Sequence, residues 1–509
     1  MVKSISRAPV KFSGKQDVVV LPMFDDAREL RGPAKKLDVL CRSGISGYVK
    51  KSGFSAKLGD SALIGFPFPK APGHVLLLGL GQRESASPER LAGAGGSASK
   101  AVKSRGFRSC HLIVDALYGF EGADDGLRAF LKGFLLAQYE FSVKSAEPAR
   151  DRQRCLNRLV ILSDDAKRIS AAIRSSRTIA EYTAYARDLV NRPADDLTPA
   201  RMAEEAQSLA RSEGFECRAM GPKEIAKLRM GAVLGVARGS EHEPRFIVLH
   251  YNKGAAGRLG IPKVCLVGKG VTFDSGGLSI KSWQNMHEMK GDMAGGAAVM
   301  GAMGAAARLG VTAEIIGLIP CVENMPDGTS FRPGDVIVTH SGKTIEVIST
   351  DAEGRLILAD ALAYSHKFDP DLILDVATLT GSVIIALGTR IAGAIGNNQE
   401  YIDQLIAAGR SVAEPVWQLP IDETFIDSIK GDISDYKNFA GREGSSITAA
   451  ALLAEFVGKT PWIHLDIAGT AWTQEAKPAY RTKGATGYGV DLLVRFLQSI
   501  AAVKRRDGD

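Results

Sequence analysis

A chain of 509 residues exceeds what one hydrophobic core ordinarily serves, so two to four domains are expected. Its 45% hydrophobic and 24% charged residues exclude a disordered or collagenous polypeptide and match a globular enzyme. The net charge of +7 is small for this length, and no basic run beyond the short Lys504-Arg505-Arg506 tail supports nucleic acid as a partner.

At the start of the chain, Lys3 and Arg7 precede an apolar run, 18–24, that is too short and too far in for a secretory leader. No run reaches the roughly 18 to 20 apolar residues of a membrane span. Strand patterns occur at Val18-Val19-Val20-Leu21, Val75-Leu76-Leu77-Leu78, Leu112-Ile113-Val114 and Leu159-Val160-Ile161-Leu162, with helical patterns near 88–104 and 124–138. This alternation predicts a smaller N-terminal α/β domain, macro-like in outline, over 1–165. The stretch 166–190 is rich in Ala, Arg and Ile, nearly free of breakers, and predicts a linking helix. Asn191-Arg192-Pro193 stops it, and Thr198-Pro199 reads as the N-cap and first-position proline of the next helix.

Residues 191–509 repeat the alternation on a larger scale. Strands are expected at 246–249, 264–267, 314–319, 372–376 and 462–465, and helices over 292–308, 356–367, 403–413, 446–457 and 488–502. Near-continuous apolar strands between helices predict a mostly parallel or mixed sheet covered on both faces, with reactive groups beyond the carboxyl ends of the strands. The six cysteines are scattered without a C-x-x-C pair, several within apolar runs, which suits reduced thiols and a cytoplasmic protein.

Chemistry concentrates in two blocks. The first runs from the strand ending at Val267 through Gly268-Lys269-Gly270-Val271-Thr272-Phe273-Asp274-Ser275-Gly276-Gly277, with Lys281 beyond it and Asp292 opening the next helix as a candidate N-cap. The P-loop pattern fails here because Lys263 and Gly270 stand where Gly and Ser/Thr are needed. The dinucleotide fingerprint fails at 79–84, where the third glycine is missing. The second block is Ser349-Thr350-Asp351-Ala352-Glu353-Gly354-Arg355-Leu356. On an extended backbone its Asp351, Glu353 and Arg355 would share one face, whereas a helix would turn Glu353 away. Four acids gathered without cations would repel, so Asp274, Asp292, Asp351 and Glu353 together suit hard or borderline divalent metals better than four separate caps. From spacing alone, Lys269 reads as a phosphate or substrate contact. Ser275 invites a serine-nucleophile reading, but none of the eight histidines lies in a recognisable partner motif, and His287 falls in a loop-like stretch.

These blocks resemble the leucyl aminopeptidase family of two-metal exopeptidases (family M17, the cytosol aminopeptidases). The matching stretches are 267–277, Lys281, 289–293 and 350–356, and further blocks lie at 187–191, 197–199, 376–381, 464–470 and 486–490. The likeness spans roughly 180–500. It implies that Asp274 and Glu353 bridge two metal ions, that Asp351 serves one ion, and that Lys269 and Asp292 serve the other. It further implies that Lys281 stabilises the tetrahedral intermediate, that Arg355 holds a bicarbonate acting as general base, and that Met289, Thr378 and Gly381 line the pocket for the N-terminal side chain. A homohexamer is implied too. Mn and Zn lead as metals, with Mg and Co also suited.

The physics accords with these roles. Paired ions acidify a bridging water from about 15.7 toward 7, and one ion can anchor a free α-amine, which restricts cleavage to an N-terminus. Lys269 must be neutral to act as a ligand, at a cost of roughly 4 to 5 kcal/mol at pH 7. The chain departs from the family pattern at Ser349, where Asn is usual, and in the charged stretch 441–446. The expected activity is a leucyl aminopeptidase acting on peptides with a free N-terminus and an apolar first residue. The rivals are a serine-type hydrolase using Ser275 and a nucleic-acid-binding protein with secondary peptidase activity.

Overall fold

The computed structural model describes all residues except 1, 3, 13–16, 27–28, 118–122, 144–155, 164, 257–259 and 507–509. The apolar runs of the N-terminal third pair into a six-stranded sheet, in the order Ser4–Ala8, Arg158–Leu162, Ser109–Ile113, Val18–Met23, His74–Gly79 and Ser61–Gly65. All neighbours are parallel except the last pair. Val18–Met23 is buried throughout, as a central strand covered on both faces must be. The helices Pro88–Ser104 and Ala123–Leu136 contribute Leu91, Ala98, Phe130 and Phe134 to a core shared with Val18, Leu76 and Leu112. The two edge strands were not expected: Ser4–Ala8 is mostly polar and exposed, and Ser61–Gly65 carries only the three-residue apolar run Ala62-Leu63-Ile64, half-buried.

Residues Ala166–Asn191 form one continuous helix. The chain divides within it into two compact units, the first comprising 1–181, 411–413 and 474–483, and the second 182–410, 414–473 and 484–509. Thr198 caps the following helix as expected, its side chain accepting from Arg201 N, with Pro199 in the first turn.

The second unit is built on a nine-stranded mixed sheet. Its path runs Val416–Gln418, Ala392–Gly396, Trp462–Asp466, Leu372–Ala377, Lys263–Gly268, Glu314–Asn324, Arg245–Tyr251 and Glu216–Met220, with Gly270–Asp274 also paired to Glu314–Asn324. The centre is parallel, while Arg245–Tyr251, Glu216–Met220 and the Ala392–Gly396 pairing with Trp462–Asp466 are antiparallel. Strand alternation puts Cys265 and Val267 in a core with Leu356 and Ile357. On the opposite face, a Cβ added to Gly268 would lie 2.6 Å from Gly296 Cα, so the helix Ala294–Leu309 rests directly on the sheet backbone.

Cys41, Cys110, Cys217, Cys265 and Cys321 are free thiols, and Cys155 lies outside the described residues. Among the described residues no helix is long and apolar enough to cross a membrane.

Candidate active site

The strand Lys263–Gly268 ends at Lys269, and the chain resumes as Gly270–Asp274 beside the far half of Glu314–Asn324. That parallel pairing sets Asp274 opposite Asn324 at the carboxyl ends of both strands. The loop that follows is locked by main-chain contacts. Ser275 Oγ donates to Asn324 O at 2.8 Å and accepts from Gly277 N, which engages the hydroxyl with the backbone rather than with a histidine. Gly276 and Gly277 have φ of +88° and +65°, and a Cβ on either would press on Asp351 Oδ1 or Asn324 Oδ1 at 2.8 Å. The D-S-G-G tetrad is therefore a turn that brings two carboxylate-bearing segments together.

Thr350 laces that turn to the second block. Its hydroxyl donates to Gly276 O at 2.6 Å and accepts from Ser279 N at 2.7 Å, while its own N–H donates to Ser279 Oγ at 3.1 Å. Ser349, where the chain departs from the expected Asn, accepts the Asp351 N–H on its hydroxyl at 3.3 Å and is held through its backbone by Asn438.

The second block is not extended. The helix expected over 356–367 begins at Glu353 and runs Glu353–Ser365, so Glu353 and Arg355 both stand in its first turn. Nothing opposes this early start: no proline intervenes, and an acid at the first position complements the positive helix end. Two helical positions turn about 200°, so the two side chains diverge. Glu353 joins Asp274 and Asp351, whose ligand oxygens and its own all lie within 4.8 Å of one another. Arg355 points elsewhere, donating to Asn438 O at 2.7 Å and Ser445 Oγ at 3.2 Å over the Phe439 ring. Burial lowers its pKa to about 10, against the pull of Glu353, Asp466 and Asp351. Asp351 and Glu353 thus converge without the extended backbone expected of them, and Arg355 does not join them.

Asp292 is likewise not a helix cap. It closes the 3₁₀ turn Met286–Gly291, and the helix Ala294–Leu309 starts after Met293 without a side-chain cap. Asp292 Oδ1 instead accepts from Thr378 Oγ1 at 2.7 Å, and Oδ2 faces Lys269 Nζ at 2.7 Å. Lys269 also reaches Glu353 Oε1 at 2.8 Å and donates to Thr378 O at 3.0 Å. A Cβ on Gly354 would come within 2.6 Å of Lys269 Cε, so the glycine beside Glu353 leaves room for the lysine. Lys281 lies between Asp274 Oδ2, at 2.8 Å, and Asp351 Oδ1.

Burial raises the pKa of Asp274, Asp292 and Asp351, the lysines pulling the other way. Burial lowers those of Lys269 and Lys281, but the surrounding acids outweigh it and leave both raised. Four carboxyl groups therefore face two ammonium groups, with Asp274, Asp292 and Glu353 buried and Asp351 exposed at the rim. Glu353 Oε2 is buried and accepts no hydrogen bond. An excess of oxygen ligands with an unmet buried lone pair fits divalent cations. Asp274, Asp351 and Glu353, with Asp292 beside them across Lys269, are the carboxyl groups that could hold such ions.

Of the three expected pocket residues, Met289 is half-buried on the 3₁₀ turn and Gly381 is exposed at the start of the helix Gly381–Leu387. Thr378 is half-buried, with its hydroxyl committed to Asp292. In the charged stretch 441–446, Arg442 and Glu443 are exposed while Ser445 reaches Arg355.

Asn324 escaped the sequence reading. It is fully buried, and its amide donates to both Asp274 Oδ1 at 2.8 Å and Thr350 O at 3.0 Å, tying the two blocks together. The polar pair Glu323-Asn324 closing the apolar run 315–322 was the available signal. Asn438 does the same for 348–352 from almost 90 residues away.

Residues 184–494 match the cytosol aminopeptidase family, catalytic domain, and residues 20–146 match the cytosol aminopeptidase family, N-terminal domain. The chain belongs to the cytosol aminopeptidase family. Family membership supports aminopeptidase activity, hence peptide hydrolysis. A probable cytosol aminopeptidase from Geotalea uraniireducens (strain Rf4) is 40% identical over 467 residues, covering 91% of this chain and 93% of that one. Another from Geobacter sulfurreducens (strain ATCC 51573 / DSM 12127 / PCA) is 39% identical over 470 residues, covering 91% and 92%. Among solved structures, the bottromycin maturation enzyme BotP in complex with Mn superposes with a TM-score of 0.83 at 32% identity, covering 95% of this chain and 99% of that one. The cytosol aminopeptidase match thus spans both blocks that build the acidic cluster.

Proposed function

We propose that this cytosol aminopeptidase family member is a two-metal leucyl aminopeptidase that removes leucine and other apolar residues from free N-termini. The carrying observation is the cluster of four carboxyl groups against two lysines, three of the acids buried and Asp351 exposed, with Glu353 Oε2 unmet. In this reading Asp274 and Glu353 would serve both of two ions, Asp351 would serve one of them, and Asp292 with Lys269 the other. Mn or Zn heads the choice, Mg and Co following. When bound, the ions supply Lewis-acid polarisation of the scissile carbonyl and a water acidified toward neutral pH.

The chain's own groups do the remainder. Lys281 keeps about a quarter of its side chain exposed, so its ammonium can turn from Asp274 and Asp351 toward negative charge developing on the attacked oxygen. Arg355, anchored by Asn438 O and Ser445 Oγ, has further N–H groups to hold bicarbonate as the proton acceptor. Lys269 must give up its proton to act as a ligand, and Thr378 O then accepts from the remaining N–H. Met289, Thr378 and Gly381 would border the first side chain, the missing Gly381 side chain leaving space. The chemistry would lie wholly within 191–509, after the N-terminal domain and linking helix, in a cytoplasmic homohexamer.

The test compares hydrolysis of a free Leu dipeptide with that of its N-acetylated form, each before and after chelation and with Mn or Zn restored. The free peptide should be cleaved, chelation should stop it and metal should restore it, while the acetylated peptide stays intact. Cleavage of the blocked peptide would remove amine anchoring from the reading. Activity untouched by thorough chelation would return the choice to Ser275.

A further inference from the structure

Three segments that hold groups of the candidate site meet at a buried carboxylate outside it. The strand Leu372–Ala377 leads into Thr378, whose carbonyl accepts from Lys269 and whose hydroxyl donates to Asp292. Its parallel neighbour Trp462–Asp466 sets Asp466 opposite Ala377. The helix Ser445–Ala454 opens with Ser445, which accepts from Arg355 Nη2 at 3.2 Å.

Asp466 is only 1% exposed. Its Oδ1 accepts from Leu379 N and Ala468 N, both at 3.1 Å, and its Oδ2 accepts from Thr380 Oγ1 at 2.6 Å. Thr380 Oγ1 lies 2.8 Å from Ser446 Oγ, which lies 2.9 Å from Ser382 Oγ. Thr380 and Ser446 are buried and Ser382 is half-buried. A carboxylate only accepts, and each hydroxyl has one hydrogen to give, so Asp466 sets the direction of the whole chain. Thr380 spends its hydrogen on Asp466, Ser446 therefore donates to Thr380, and Ser382 donates to Ser446. Hydroxyls aligned in this way polarise one another, which strengthens each link.

Thr380 is the junction. Its hydroxyl also accepts from Val383 N at 3.3 Å and so caps the helix Gly381–Leu387. Thr378 stands two residues before it, and Ser445 stands next to its partner Ser446. Without the Thr380 hydroxyl, Asp466 Oδ2 would stay buried with no donor among the described residues, and the segment 378–381 would lose its tie to the helix that holds Arg355.

We propose, on the peptidase reading, that Thr380 and Asp466 are positioning residues for peptide hydrolysis, acting through Thr378 on Asp292 and Lys269 and through Ser446 and Ser445 on Arg355.

The experiment is steady-state hydrolysis of a free Leu dipeptide by the full chain with Mn or Zn supplied, expressed per folded molecule. Thr380→Val keeps the shape and removes the hydroxyl, whereas Thr380→Ser keeps the hydroxyl and removes the methyl. Thr380→Val should lower kcat by about 10-fold or more with KM within about 3-fold of the parent, and Thr380→Ser should stay within about 3-fold in both. A packing role predicts the reverse order. If Thr380→Val does not fold, Ser446→Ala decides by the same loss of kcat, since it cuts the next link and leaves Asp466 its donor. A parent chain that cleaves the dipeptide, with Thr380→Val matching it or Thr380→Ser falling as far as Thr380→Val, overturns the proposal alone. A parent chain that cleaves no free Leu dipeptide sinks the peptidase reading and the proposal with it.

Discussion

Glu353 and Asp360 stand two turns apart on the same helix, and both are buried. Asp360 is saturated: it accepts from His340 N at 2.7 Å on one oxygen, and from Ala232 N at 2.9 Å and Val233 N at 3.0 Å on the other. Glu353 meets Lys269 with one oxygen and leaves the other without a donor. Asp360 therefore serves as a structural joint, pinning the start of the helix Gly231–Ala237. Glu353 carries coordinating capacity that the fold leaves unspent. Between these two buried acids of one helix, the difference is the free lone pair, not burial or charge.

The sharpest way to break that contrast is substitution at both positions. Glu353→Ala should lower kcat/KM by at least about 10³-fold and reduce bound divalent metal, read by elemental analysis, with the fold kept. Asp360→Asn should keep its metal and most of its activity per folded molecule. Equal metal loss from the two variants would erase the distinction. Lys281→Met comes next, expected to cost about 10²- to 10³-fold in kcat with KM little changed, since its charge is wanted only when the oxyanion forms. Asn324→Ala, which frees Asp274 from the Thr350 segment, should weaken metal affinity by about 10- to 100-fold, measured by titration of the chelated protein.

The smallest effect concerns stability. Burial raises the Asp360 pKa from 3.8 to about 7, its three backbone donors only partly opposing this. The folded state then holds the proton more tightly than the unfolded chain. The resulting stabilisation is complete below about pH 3.8 and lost as pH rises through about 7. Asp360→Asn should cost about 1 to 3 kcal/mol and flatten the decline in stability between those limits, as denaturant melts across pH would read.

Much of this was legible before folding. The apolar runs at 264–267, 314–319, 372–376 and 462–465 all became sheet strands, because a strand buried on both faces needs continuous apolar residues. Strands such as Ala392–Gly396 and Glu216–Met220 were missed, since small or alternating polar residues carry little of that signal. The acids Asp274, Asp351 and Glu353 did converge. The geometry assumed for the last two did not hold, because helix onset at Glu353 depends on what surrounds it as well as on the local pattern.

The sequence by itself determined the residue types and their order: four acids, two lysines, an arginine, and the glycines that let the segments approach. Tertiary structure alone decided which acid keeps a free oxygen, that Arg355 diverges from Glu353, and that Asn324 and Asn438 hold the blocks in place. Hydrogen-bond saturation is a property of neighbours, and these neighbours lie between 26 and 90 positions away in the chain.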